Sequence, residues 1–407
     1  MAGLLFSNEK KTMPQVSNPS RLIVLLAALV AFGPLSIDMY LPSLPLIASD
    51  LQASQADIQL TISAFLIGLF FGMLFYGPLS DKFGRRKLLL GGITLYLVAS
   101  IGCFLATSAE ILIYARFLQA LGAAAASVLA RAIVRDLFPI NEAARVLSLM
   151  HLVTMLATLI APLVGGYLIL LAGWRSLFIV LFVFAAIILL ATSLKIPETH
   201  HGSSRGTSIA AVFKAYLQIL LQPLAVGYIL CMSLTFAGMF AYITASPFVY
   251  IEYFGVTPQT YAWLFSLNIG GIILLVSLNA RYVGRFGTQR LLVIGAGLAA
   301  TSGLLLLFAG FTGVGGLPLI VIALLGFVSV TGVLGANCMA SLLACFPERA
   351  GAAAGIAIAI QFGLGALASF LVSNLHDGTP LTMSLLIGLA GVASFTSLAL
   401  TRSKSNT

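Results

Sequence analysis

Apolar runs of about 20 residues recur along the whole chain, each long enough at ~1.5 Å per residue to cross a ~30 Å hydrocarbon layer as a helix. Only short polar joints separate them. Of 407 residues, 60% are hydrophobic and 8% charged, with a mean hydropathy of +1.08, and no soluble core could hide that much apolar surface. The sequence therefore predicts an all-α integral membrane protein. The first run, near Arg21 to Tyr40, follows Lys10 and Lys11 but is longer than a signal core and has no small-residue cleavage site behind it, so it reads as a retained span. Cys103, Cys231, Cys338 and Cys345 lie in or at the ends of apolar segments without metal-ligand spacing, and none of His151, His200 and His201 has such spacing either. His151 reads as a residue at a membrane end.

Span centres fall near residues 31, 68, 97, 122, 157, 185, 233, 269, 300, 330, 361 and 390, and twelve spans put both termini on one side. Of the 21 Lys and Arg residues, 19 fall in the leader, the tail and alternate joints, Arg175 stands alone on the other face, and Arg116 is inside a span. This asymmetry predicts the cytoplasmic face and gives the net charge of +9 a membrane meaning rather than a nucleic-acid one. Lys82-Phe-Gly-Arg-Arg-Lys87 aligns with Arg285-Phe-Gly-Thr-Gln-Arg290, half a chain later, which predicts two pseudo-symmetric six-helix halves with a substrate cavity between them. The expected divisions are a cytoplasmic leader (1–20), an N-terminal half (21–195), a cytoplasmic linker (196–220), a C-terminal half (221–401) and a tail (402–407).

Two ionisable residues lie within spans, Asp38 and Arg116, and intramembrane charge by default marks a pathway. Counting from Pro42 and Ile111 puts both about 6 to 8 Å inside the outer boundary, so they are expected to pair. Burial disfavours a carboxylate and a nearby guanidinium favours it, so a moving Arg116 could switch the proton affinity of Asp38 between conformations. At 77–87, GPLSDKFGRRK concentrates five charges in eleven positions. Its cations orient the chain, but Asp81 does nothing for that bias; it can accept charge-assisted hydrogen bonds and face the positive end of a helix.

GPLSDKFGRRK resembles the loop signature between spans two and three of the major facilitator superfamily. PLSIDMYLPSLP (34–45), RFLQALGAAAASV (116–128), APLVGGYL (161–168) and FAGMFAYITASPFVYIE (236–252) are similar to the bicyclomycin-resistance and chloramphenicol-efflux branch of its drug/proton antiporters. The resemblance implies the twelve-span fold of that superfamily, proton coupling through Asp38 and Arg116, and an antiporter motif at Pro162, Gly165 and Gly166. It also implies a conformational latch in which Gly77, Asp81, Gly84, Arg85 and Arg86 meet span eleven near Arg349, joined by Arg135 and Asp136.

A mostly apolar cavity with a few polar handles should bind the substrate. The candidates are Tyr40, Gln119, Met155, Phe236, Met239 and Phe240, together with Tyr242, Asn268, Asn337 and Gln361; the last three could equally be interhelical hydrogen-bond glue. No H-E-x-x-H, G-x-S-x-G or P-loop pattern is present, so neither an enzyme nor an ATP-driven pump is expected. The expected function is efflux of small amphipathic drugs in exchange for protons across a bacterial inner membrane. The alternative is proton-coupled transport of an endogenous metabolite. No cofactor is expected beyond the proton gradient, and the expected partners are a small molecule, protons and the lipid bilayer, with no nucleic acid and a monomeric carrier.

Overall fold

A computed structural model describes residues 19–199 and 209–402. Residues 1–18 of the leader, the tail beyond 402, and His200 and His201 of the linker lie outside the described residues. Span one is broken: α1 (Pro19–Val30) and α2 (Phe32–Asp38) lead through a 3-10 turn (Leu41–Ser43) into α3 (Leu44–Asp50), with a 43° bend after Val30. Spans two to six are α4 (Gln55–Phe83), α5 (Arg85–Phe104), α6 (Ala109–Leu137), α7 (Ile140–Ala172) and α8 (Arg175–Lys195). A short helix, α9 (Ile209–Leu220), occupies the expected linker. Spans seven to twelve follow as α10 (Pro223–Pro247), α11 (Pro258–Phe286), α12 (Thr288–Thr312), α13 (Gly316–Cys345), α14 (Ala350–Leu375) and α15 (Leu381–Ser397), with α16 (Ala399–Arg402) behind them. Among the described residues, eleven helices are long and apolar enough to span, and the bent pair makes twelve.

Small residues let these helices approach closely, as packing in lipid requires. A Cβ at Gly68 would run into the backbone of α6, and one at Gly122 into Tyr96 of α5. Between the halves, α4 packs on α14 and α7 on α11. Bonds joining the halves lie toward the face opposite the basic loops: Gln55 donates to Glu252, Ser63 and Ser369 share a hydrogen bond of 2.7 Å, and Ser266 donates to the Leu159 carbonyl at 3.0 Å. That face is closed. Span seven continues past Pro247 as a π-helix (Phe248–Tyr253), a local unwinding that places Glu252 against α4. Arg175, the lone cation on this face, is neutralised by Asp50 at 2.7 Å.

Pro42 does not end span one. It sits in the first turn of the 3-10 segment, where its missing N–H costs nothing, and the helix resumes to Asp50. Asp38 therefore lies about 18 Å from the end of the span rather than near its boundary.

Candidate functional site

Asp38 ends α2 and is 4% exposed, in the wall of a cavity of about 310 Å³ between the halves. From the N-terminal half, Ile37, Leu69, Met155 and Thr158 join it; Phe236, Met239, Phe240, Phe265 and Phe362 come from the C-terminal half. Thr158 on α7 stands beside Asp38 in this wall. The FAGMF stretch forms an aromatic wall: Phe236 lies tilted on Phe240 with centroids 4.8 Å apart and meets Phe362 edge-on at 5.3 Å. Methionine and phenylalanine offer a yielding apolar surface to ligands of varied shape, and the carboxyl and two threonine hydroxyls, Thr154 and Thr158, offer polar handles.

The expected pair does not form. Among the described residues no ion pair joins Asp38 and Arg116. Arg116 is fully buried inside the N-terminal half, its guanidinium 4.6 Å from the Tyr40 ring centroid and 4.3 Å from that of Phe65. It donates to Gln119 at 2.6 Å; Gln119 donates in turn to Ser100 at 2.9 Å, and Tyr40 shares a bond of 2.9 Å with Thr61. The reason is helical geometry. Positions 38 and 40 are about 200° apart around a helix, so a side chain under Tyr40 faces away from Asp38.

Of the ten cavity candidates, Met155, Phe236, Met239 and Phe240 line the wall. Tyr40 and Gln119 belong to the Arg116 network instead. Tyr242 lies behind the wall, stacked on Phe265 and accepting a bond from Asn268 at 2.9 Å. Asn337 pairs reciprocally with Asn279, joining α13 to α11, and Gln361 is half-buried on α14 outside the cavity. His151, expected at a membrane end, lines the cavity. Its signal was present in the sequence: His151, Thr154, Met155 and Thr158 fall on one face of α7 by their spacing.

At the basic face, Arg85 bonds Asp81 at 3.3 Å and also pairs with Asp136. Gly84 turns the chain with φ +93°, and the first amides of α5 meet a carboxylate: Arg85 N donates to Glu198 at 2.8 Å and Arg86 N at 3.1 Å. Glu198 was not singled out by sequence reasoning, because its partner is 113 residues away. Arg86 donates to the Ser193 carbonyl at 2.7 Å. Gly77, Asp81, Arg85, Arg135, Gly351 and Gly355 line a second cavity of about 350 Å³, so Asp81 and the start of α14 face each other across a gap. Arg349 bonds Gln218 of α9, not Asp81. On α7, a Cβ at Gly165 would run into the Met39 carbonyl, and the Gly166 carbonyl accepts from Gln259 at 2.9 Å; Pro162 lies within the same helix.

The family model described as Major Facilitator Superfamily matches residues 25–373. The chain belongs to that superfamily. Over 376 residues it is 33% identical to the "Bicyclomycin resistance protein homolog" of Haemophilus influenzae, covering 91% of this chain and 94% of that protein. It is 30% identical over 286 residues to the "Multidrug resistance protein MdtL" of Escherichia coli, covering 70% of this chain and 72% of the relative. Solved superfamily members share the fold. The xylose transporter XylE of E. coli, in a partially occluded inward-open conformation, superposes with TM-score 0.72 at 16% identity, covering 95% of this chain and all of that one. The nucleoside transporter NupG D323A mutant gives 0.74 at 14% identity, with 94% and 100% coverage. As a superfamily member the chain is a multi-pass membrane transporter of small molecules, with its interface cavity where two rocking halves meet.

Proposed function

We propose that this transporter exports small amphipathic drugs in exchange for protons, with Asp38 as the proton carrier. One observation carries the reading: Asp38 is the only acid, among the described residues, in the wall of the apolar cavity between the halves. The bicyclomycin-resistance and multidrug-resistance names of the relatives support drugs of that kind as substrates. The basic face is the cytoplasmic one, with both termini on it, in a bacterial inner membrane. The carrier acts as a monomer in the lipid bilayer and uses no cofactor beyond the proton gradient.

A carboxylate facing this apolar wall is costly unless hydrated or matched by a cation, and a protonated one is not. A drug entering from the cytoplasm that sets a cation or hydrogen-bond donor beside Asp38 favours the carboxylate and so drives proton release inward; after the drug leaves outward, Asp38 reloads from outside. Arg116 holds α6, the Tyr40 turn and α4 together behind the site, so it acts as a positioning residue. Asp81 and the start of α14 close on each other when the cavity opens outward, which the gap between them permits.

The test is a proteoliposome carrying an imposed proton gradient, with internal pH followed as drugs are added. Drug-induced proton movement opposite to drug flux supports exchange. Movement in the same direction as the drug, or none with any drug of a panel, refutes it.

A further inference from the structure

Asp38 shares its cavity with one other titratable side chain among the described residues, and the proton reading leaves it unused. His151 is exposed on the cytoplasmic half of α7 and lines the same wall. Between the two groups stand hydroxyls in regular order. Thr158 stands beside Asp38 in the cavity wall, and Thr154 follows one turn lower, its hydroxyl donating to the Met150 carbonyl at 2.9 Å and so keeping lone pairs for an incoming hydrogen. His151 comes three residues below that. From 158 to 151 the helix rises about 10 Å, and the positions stay on one face.

We infer that the His151, Thr154 and Thr158 stripe is the inward exit for the Asp38 proton, with His151 as its cytoplasmic acceptor. The inference rests on Asp38 exchanging protons. The Asp38 O–H bond breaks, and cavity water passes the proton along the two hydroxyls. An imidazole nitrogen takes it as a new N–H and then yields it to cytoplasmic water, so only O–H and N–H bonds change. The charged group facing His151 from a neighbouring helix is Arg131 of α6, whose positive charge repels an imidazolium and favours onward release. The apolar remainder of the wall offers no competing route, since Ile37, Leu69, Phe240 and Ile269 carry no exchangeable hydrogen on their side chains.

The experiment needs no transported drug. Purified carrier in detergent is jumped from acid to neutral pH, and the carbonyl band of the protonated carboxyl is followed by time-resolved infrared spectroscopy, with Asp38→Asn identifying the band. His151→Gln should slow its decay about tenfold, less than the roughly hundredfold or more that a positioned acid–base group supplies in catalysis, and added imidazole should restore the rate. An unchanged thermal midpoint for His151→Gln shows that the fold is intact. If the band decays at the wild-type rate in His151→Gln, the inference fails and the role of Asp38 stands. If no Asp38 band responds to pH in the wild type, the proton reading fails and takes this inference with it.

Discussion

Arg116 stacks on Tyr40, and Asp38, two residues earlier on the same span, faces the other way. The two charges of the membrane interior thus serve separate places: one is enclosed within a six-helix half, the other lies at the boundary between halves. Proton affinity at Asp38 is then governed by water and substrate in the cavity rather than by a resident cation.

Asp38→Asn keeps the shape of the side chain but cannot ionise. Drug accumulation driven by a proton gradient should fall to the level of empty liposomes, while binding of the same drug, measured by quenching of protein fluorescence, should persist. Retained gradient-driven transport removes Asp38 from the mechanism.

Arg116→Ala should destabilise the protein by about 2–4 kcal/mol, because it leaves a void beside two aromatic rings and strands the Gln119 side-chain carbonyl. Arg116→Lys should recover only part of this, since an ammonium lacks the flat guanidinium face that lies between the rings of Tyr40 and Phe65. Thermal unfolding in detergent measures both variants.

Ser63 and Ser369 tie α4 to α14 across the halves with their oxygens 2.7 Å apart. Cysteines at both positions, in a Cys345→Ser background to remove the exposed thiol, should form a disulfide on oxidation and stop transport reversibly. Full activity of the oxidised protein, with crosslinking verified by mass spectrometry, shows that these spans need not separate there.

Gly84→Ala meets two obstacles, a backbone at φ +93° and the Glu198 carboxylate 2.7 Å from the added carbon. It should cost more than about 1 kcal/mol. Glu198→Gln loses the charge facing the start of α5 and one of two acceptor oxygens, and should cost about 0.3–1 kcal/mol. Equal losses in thermal stability for the two variants contradict this ranking.

Spans and halves were legible in the sequence because hydropathy and cation placement act locally. Met155, Phe236, Met239 and Phe240 were found because apolar side chains near the middle of spans five and seven face the facing half. The polar candidates misled for one physical reason: a hydroxyl or amide in lipid is satisfied by whichever partner is nearest, and for Gln119, Tyr242 and Asn337 that partner is a side chain on another helix of the same half. The pairing of Asp38 with Arg116 was misjudged because depth was counted and facing was not: Arg116 sits at the level of Tyr40, about 200° around from Asp38. Glu198 carries no local mark, since its role as an N-terminal anion exists only once the chain has returned to α5.

Gly165 presses on Met39 within its own half, and the next residue, Gly166, is bonded to Gln259 of the other. A dipeptide gripped from both sides is a natural fulcrum. Motion about such a point is smallest beside it and grows toward the helix ends, so Asp38, adjacent to Met39 in sequence, would barely travel while the two mouths swing. Coupling then requires no long journey by the acid: what alternates is the water that can reach it.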